Sequence, residues 1–242
     1  MKSNKLRRKI LDLSIEGGSP HIAPALSCVD ILDTLYNNTM SNNDKFILSK
    51  GHGCLALYSI LLSKGLKPDI YKGHPDIDIK NGIECTTGSL GHGLPIAVGM
   101  ALAKKLKKED GNIYVVMGDS ELQEGTTWES FLIASHYRLN NLIVFIDNNE
   151  LQALEFISDV LDLNSIYTKI KAFNCNVEVV NGHNINEIVE CIENGFRYPS
   201  KPLVIIANTI KGKGVSYMEN KAMWHAKTPT KEEYKQAYEE LS

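Results

Sequence analysis

The chain has 242 residues, with 26 basic and 29 acidic side chains and a formal net charge of −3. This near-neutral balance is spread along the chain apart from a short basic run at 104–108, which excludes a nucleic-acid surface and a polybasic membrane patch. No apolar run is long enough to span a bilayer, and the N-terminus MKSNKLRRKILDLSIEGG lacks the apolar stretch of a signal peptide.

In chain order, helical patterns cover residues 26–36, 55–63 and 95–107. A Val- and Ile-rich strand follows at 113–117, then a helix at 126–138, a strand at 142–147 and a helix at 165–173. The remainder reads as a strand at 177–180, a helix at 185–196, a strand at 203–207 and a polar terminal helix at 231–241. The strands lack strict apolar–polar alternation, as is found where both faces of a parallel sheet are covered. Alternating strands and helices with short connections predict an α/β fold: a doubly wound, mainly parallel sheet with helices on both faces. Residues 1–242 are expected to form a single domain, long enough to bury a substantial core. The five cysteines are odd in number and form no Cys-x-x-Cys pair. They read as reduced thiols of a cytoplasmic protein, mostly small core fillers.

The strand at 113–117 runs into Gly118-Asp119-Ser120-Glu121-Leu122-Gln123-Glu124-Gly125, and the next strand ends in Asp147-Asn148-Asn149. Open α/β sheets bind ligands at the carboxyl ends of their strands. Asn149 lies 30 positions beyond Asp119, one strand–helix–strand crossover. Two neighbouring strand ends can therefore offer a carboxylate and an amide oxygen to one hard cation, with substrate phosphates completing an octahedron. The same residues also suit a helix cap at Asp119 and a turn at Asn149, and local chemistry does not separate the two readings.

The Gly-Asp-x-Glu-Leu-x-Glu-Gly string, with Asn149 at that spacing, resembles the thiamine-diphosphate motif of the transketolase family. Ser49-Lys50-Gly51-His52-Gly53, Gly73-His74-Pro75, Thr86-Thr87-Gly88-Ser89-Leu90-Gly91-His92-Gly93 and Trp224-His225 occur in the family's order. The resemblance covers nearly the whole chain. Its wording is closest to the split transketolases, whose enzyme is divided between two chains.

The resemblance implies thiamine diphosphate with Mg2+, for which Ca2+ or Mn2+ would substitute. Asp119, Asn149 and the carbonyl of Leu151 would ligate the metal, with diphosphate oxygens and a water completing its shell. The Ser120 N–H and the side chains of His52 and His225 would contact the diphosphate. The turn of Gly88, Ser89 and Leu90 would hold the aminopyrimidine and back the thiazolium ring. Glu124 would lie near the subunit interface in a carboxylate network. His21, His74 and His225 would meet the oxygens of a sugar or sugar phosphate as catalytic groups. Transferring a two-carbon ketol unit from a ketose to an aldose requires proton movement at those oxygens, which an imidazole performs near neutral pH. His136 and His183 receive no role, and His92 at most a supporting one. In the family a Glu on a second domain bonds the aminopyrimidine, and no further set of αβ units follows here to carry it. The expected partner is therefore a C-terminal transketolase subunit with the pyrimidine-binding domain, in an α2β2 assembly. The helix at 95–107, with Val98, Met100 and Ala101, and the helix after Gly125 are either interface or core.

Three positions depart from the family pattern. Ser120 replaces a usual Gly, which is harmless at negative φ and costs on the order of 1 kcal/mol or more at positive φ. Pro20 precedes His21 where Gly is usual, and it biases the local backbone. Glu150 and Ala153-Leu154-Glu155 replace a loop richer in glycine. Separately, Ile210-Lys211-Gly212-Lys213-Gly214 reads either as a turn closing two lysines over a phosphate or as a solvated loop.

Other readings stay open at this level. One is a deoxyxylulose-phosphate-synthase-like or specialised ketol/acyl transferase subunit, and another is a cofactor-holding subunit of reduced activity. A nucleotide-binding Rossmann domain fits less well, because residues 88–93 have neither its Gly-x-Gly-x-x-Gly spacing nor its downstream context.

Overall fold

Apolar side chains on each strand divide between two faces, and helices from different parts of the chain cover each. The computed structural model describes residues 2–153, 155–195 and 200–242. In it β1 (Lys45–Leu48), β2 (Ile113–Gly118), β3 (Leu142–Asn148), β4 (Asn176–Asn181) and β5 (Leu203–Asn208) form one sheet in the order β1-β2-β3-β5-β4. Every pairing is parallel. The helices are α1 (Lys2–Gly17), α2 (Ile22–Thr34), α3 (Cys54–Ser63), α4 (Gly93–Lys107), α5 (Gly125–His136), α6 (Ile157–Leu161), α7 (Ile166–Ala172), α8 (Ile185–Gly195) and α9 (Lys231–Glu240).

Successive strand residues point to opposite faces. Tyr114 and Val116 of β2, Ile143 and Phe145 of β3, and Leu203 and Ile205 of β5 pack with α1, α2, α3 and α8. Ile113, Val115 and Met117, Val144 and Ile146, and Val204 and Ile206 pack with α4, α5 and Ile170 of α7. Each fully buried side chain of this size stabilises the fold by roughly 1.5–3 kcal/mol relative to exposure. Because both faces are apolar, the strands read as continuous runs rather than alternating ones, as predicted.

The predicted strands and helices are all present, with ends shifted by a few residues. The Phe196 end of the helix expected at 185–196 lies outside the described residues, as does Leu154. Three elements were not anticipated. Helix α1 places Leu6, Ile10 and Leu13 on one face of an otherwise charged segment, and all three are buried. Strand β1 is four residues long, and α6 is five.

Every residue of α2 is buried, including Ser27, Asp30 and Asp33. Buried polar groups require partners, and those of Ser27 and Asp30 come from the strand ends and from the loops beyond them. The register sets Gly118 beside Asp147 and Asn148 beside Asn208. The carboxyl ends of β1, β2, β3 and β5 thereby meet along one edge of the sheet.

Candidate functional site

At that edge Asp119 leaves β2 fully buried. Its Oδ1 accepts the Ser120 N–H at 2.8 Å, and its Oδ2 accepts the N–H groups of Asn149 at 2.9 Å and Glu150 at 2.7 Å. The two strand ends picked out by sequence spacing are thus in direct contact. Ser120 has negative φ, in a short 3-10 turn, so its replacement of Gly carries no backbone strain. The strain sits instead at Glu150, whose φ is 63°. A side chain there costs about 1 kcal/mol, and the Asp119 grip on two successive N–H groups holds it.

Beneath this contact lies a buried charged cluster. Lys50 pairs with Asp147, and both are essentially without solvent exposure. Asp147 also accepts from the Ser27 and Thr209 hydroxyls, and Lys50 donates to the Pro24 carbonyl at 3.2 Å. Burial opposes the charge on each partner, but the ion pair wins. Asp147 is held below the usual carboxylate value and Lys50 above the usual ammonium value. The cluster orients Asn149, whose amide N–H donates to Ser27 Oγ at 3.2 Å while its Oδ1 accepts the Leu151 N–H at 3.1 Å.

Lys211 reaches the same corner from beyond β5. It is buried, and its ammonium donates to the carbonyls of Leu151 at 3.2 Å and Gln152 at 2.7 Å and to His225 Nδ1 at 2.9 Å. Of the two alternatives for 210–214, the solvated loop is therefore wrong at Lys211. It holds better for Lys213, which is part-exposed and pairs with Glu219.

Four of the seven histidines converge above this floor. The His21 ring lies 6.2 Å from His52, 5.7 Å from His74 and 5.6 Å from His225, and His52 lies 5.0 Å from His225. Burial, then His74 and Lys211, hold His21 below the ordinary imidazole value. Burial and Lys50 hold His52 well below it, and burial and Lys211 lower His225 to about 3. These three rings are neutral at physiological pH. Pro20 leaves the His21 ring within the cluster, and its buried Nδ1 has no partner. The backbone closes around the group. A Cβ at Gly51 would lie 2.8 Å from the Gly88 nitrogen, and one at Gly88, whose φ is +138°, would lie 2.9 Å from the His74 ring.

The remaining predicted residues form an open rim. His74, Ser89, Leu90, His92 and Glu124 are exposed. Glu121, which received no role on sequence grounds, is instead the buried carboxylate of its motif. It accepts from Ser49 Oγ at 2.5 Å and from the N–H groups of Gly91 at 2.8 Å and Gly118 at 2.9 Å. Lys50, Asp147 and Ser27 also went unassigned; a Lys and an Asp within apolar segments were the available signal, since such groups are rarely buried unless paired. Of the three α4 positions named as interface or core, Val98 and Ala101 are core. The apolar groups that α4 and α5 expose are Ile96, Leu132 and Ile133.

The donor set fits a metal–diphosphate. Burial and the Asp147 charge raise Asp119 to about 7, against the opposing N–H groups and Lys50, and a cation beside it would reverse that shift. Burial and Lys50 lower Lys211 to about 7, and an anion beside it would do the same in the other sense. Among the described residues no group of three or more His, Cys, Asp or Glu could hold a metal ion. A cation here would therefore depend on amide, carbonyl and ligand oxygens, as Mg2+ commonly does.

Comparison with known proteins agrees with this geometry. The family described as "Transketolase, thiamine diphosphate binding domain" matches residues 6–242. One of the two subunits of an apulose-4-phosphate transketolase from Phocaeicola vulgatus is 37% identical, over 100% of this chain and 93% of the relative. The 6-deoxy-6-sulfo-D-fructose transketolase subunit SqwG of a Clostridium species is 36% identical, over 99% of this chain and 94% of the relative. Among solved structures, the transketolase from Leishmania mexicana superposes with a TM-score of 0.89 at 25% identity, and that from Campylobacter jejuni with 0.87 at 28%. This chain spans 40% and 42% of those two chains.

Proposed function

The chain belongs to the transketolase family, in its thiamine-diphosphate-binding domain, and from that premise we propose that it is the cofactor-holding subunit of a two-chain ketol transferase. The observation that carries the reading is the convergence of Asp119, Asn149, Leu151 and Lys211 with four histidine rings at one sheet edge. Asp119, Asn149 and the Leu151 carbonyl would hold Mg2+. Ser120 N–H, His52, His225 and Lys211 would hold the diphosphate, and Gly88, Ser89 and Leu90 the aminopyrimidine. When bound, thiamine diphosphate supplies the carbon centre that takes up and releases the two-carbon unit.

This chain's own part is binding, orientation and proton transfer. The neutral rings of His21 and His225 each offer one donor and one acceptor to sugar oxygens. His74 meets the sugar from the rim, where it shuttles the proton of the hydroxyl beside the bond that breaks. Replacing His74 with Ala should lower turnover roughly 10²–10⁴-fold while thiamine diphosphate affinity stays within a factor of about three. Steady-state kinetics of the reconstituted enzyme, beside calorimetry, reads both; near-parental turnover would remove the role.

The relatives named as single subunits of larger transketolases support a partner chain, which would carry the pyrimidine-binding domain, cover the exposed rim and complete an α2β2 enzyme. One relative's name carries a phosphate and another's a sulfo group, so the donor is proposed as an anionic ketose. Calorimetry with thiamine diphosphate, with and without Mg2+, followed by a ketol-transfer assay on mixed subunits, tests the whole reading. Absence of metal-dependent binding would refute it.

A further inference from the structure

The turn that carries Lys211 is fastened from behind by residues that touch neither metal ligands nor histidine cluster. The Ile210 N–H donates to His183 Nε2 at 2.9 Å, the Gly212 N–H to the Ala23 carbonyl at 3.0 Å, and Arg7 Nε to the Lys213 carbonyl at 3.0 Å. Two of these three fasteners lead to one buried carboxylate. Asp30 Oδ2 accepts from Arg7 Nη2 and, at 2.7 Å, from His183 Nδ1. The turn is tight. Gly212 has φ +81°, and a Cβ on it would lie 2.6 Å from the Met218 carbonyl oxygen; Gly214 has φ +92° and packs against Arg7. Fastened on both sides, the backbone leaves Lys211 one direction in which to extend, toward Leu151 and His225.

The partners also fix the His183 proton. Nδ1 faces a carboxylate and Nε2 faces an N–H, so Nδ1 carries the hydrogen and Nε2 the lone pair. Asp30 selects the tautomer that can accept from Ile210. Arg7 comes from α1, Asp30 from α2 and His183 from the loop between β4 and α8, so the unit ties three elements to the site without entering it. Burial alone would raise Asp30, but His183 and Arg7 outweigh it and keep the carboxylate ionised.

We propose that Arg7, Asp30 and His183 form a positioning unit that clamps the 210–214 turn and thereby sets the Lys211 ammonium against the cofactor's diphosphate. The proposal rests on the cofactor reading above, and its test separates the two. Thiamine diphosphate binding in the presence of Mg2+ is measured by calorimetry on the full chain as wild type, His183→Ala, Lys211→Met and the double variant. Amide exchange at Ile210 is followed on the ligand-free proteins. The His183→Ala change should weaken binding about tenfold, the size typical of losing a group that orients a ligating one, and should speed Ile210 exchange. If His183 acts through Lys211, the double variant binds no more weakly than Lys211→Met alone. The His183→Gln variant keeps an acceptor for the Ile210 N–H and should recover most of the affinity. Additive losses in the double variant, or unchanged binding and exchange in His183→Ala, would overturn the clamp while leaving the cofactor reading intact. Absence of binding by the wild type would overturn both.

Discussion

The floor and the rim of the site are built differently. At the floor, Lys50, Asp147, Ser27, Asp119 and Lys211 are buried and each has its hydrogen-bond partners within the chain. At the rim, His74, Ser89, Leu90 and Glu124 are exposed, and Ile96, Leu132 and Ile133 of α4 and α5 lie uncovered. Cofactor binding needs fixed charges in a dry setting, which one folded chain supplies alone. Substrate chemistry needs an enclosed site, and the rim here is only one wall of it. The contrast teaches that a site can be preorganised where it holds an anion and a metal yet remain unfinished where it holds the substrate.

The largest test breaks the floor. Lys50→Met leaves the Asp147 carboxylate buried without its cation, and should destabilise the chain by about 3–5 kcal/mol, measured by urea unfolding. Next, Asp119→Ala should weaken metal-dependent thiamine diphosphate binding on the order of 100-fold, about 2.7 kcal/mol, with the far-UV circular dichroism retained. Loss of the fold in this variant would make Asp119 structural instead. At the rim the effect should fall on association rather than stability. The double change Leu132→Glu, Ile133→Glu should alter unfolding by no more than about 0.5 kcal/mol. It should nevertheless weaken association with the partner chain at least about tenfold, or about 1.4 kcal/mol, by analytical ultracentrifugation. A destabilised chain with normal association would erase the distinction between floor and rim.

The smallest test concerns pH and the clamp behind the floor. Asp30 is held below its unfolded carboxylate value, so the folded state binds its proton less readily than the unfolded state does. Its stabilisation is present above the unfolded value of about 3.9 and is lost as pH falls through the lower folded value. The groups facing it are Arg7 and His183. Wild-type stability should therefore drop more steeply below about pH 4 than that of Asp30→Asn, by about 1 kcal/mol across the acid limb. Parallel acid limbs in the two proteins would remove the ion pair's contribution.

Much of this was legible before any coordinates. Asp119 and Asn149 were found because motif and spacing both report the carboxyl ends of neighbouring parallel strands. The histidines His21, His52, His74 and His225 were separated from His92 and His136 by their motifs. Helix α1 carried a readable signal that its many charges obscured, since Leu6, Ile10 and Leu13 repeat at helical spacing. Strand β1 carried none, because four residues hold too little pattern. His183 was set aside as an ordinary loop residue, because nothing in its neighbourhood of sequence names Asp30, 153 positions away.

By itself, the sequence determined the layered α/β architecture, the metal and phosphate motifs and the family, since these depend on local periodicity and short spacings. Only the tertiary structure decided that Lys211 is buried against Leu151 rather than solvated, that Glu150 rather than Ser120 bears the backbone strain, and that Asp30 connects α1, α2 and the 210–214 turn. Those outcomes depend on which distant segments the sheet order brings together. Burial converts a lysine or an aspartate from a solvated charge into a fixed one only once its partner is in place.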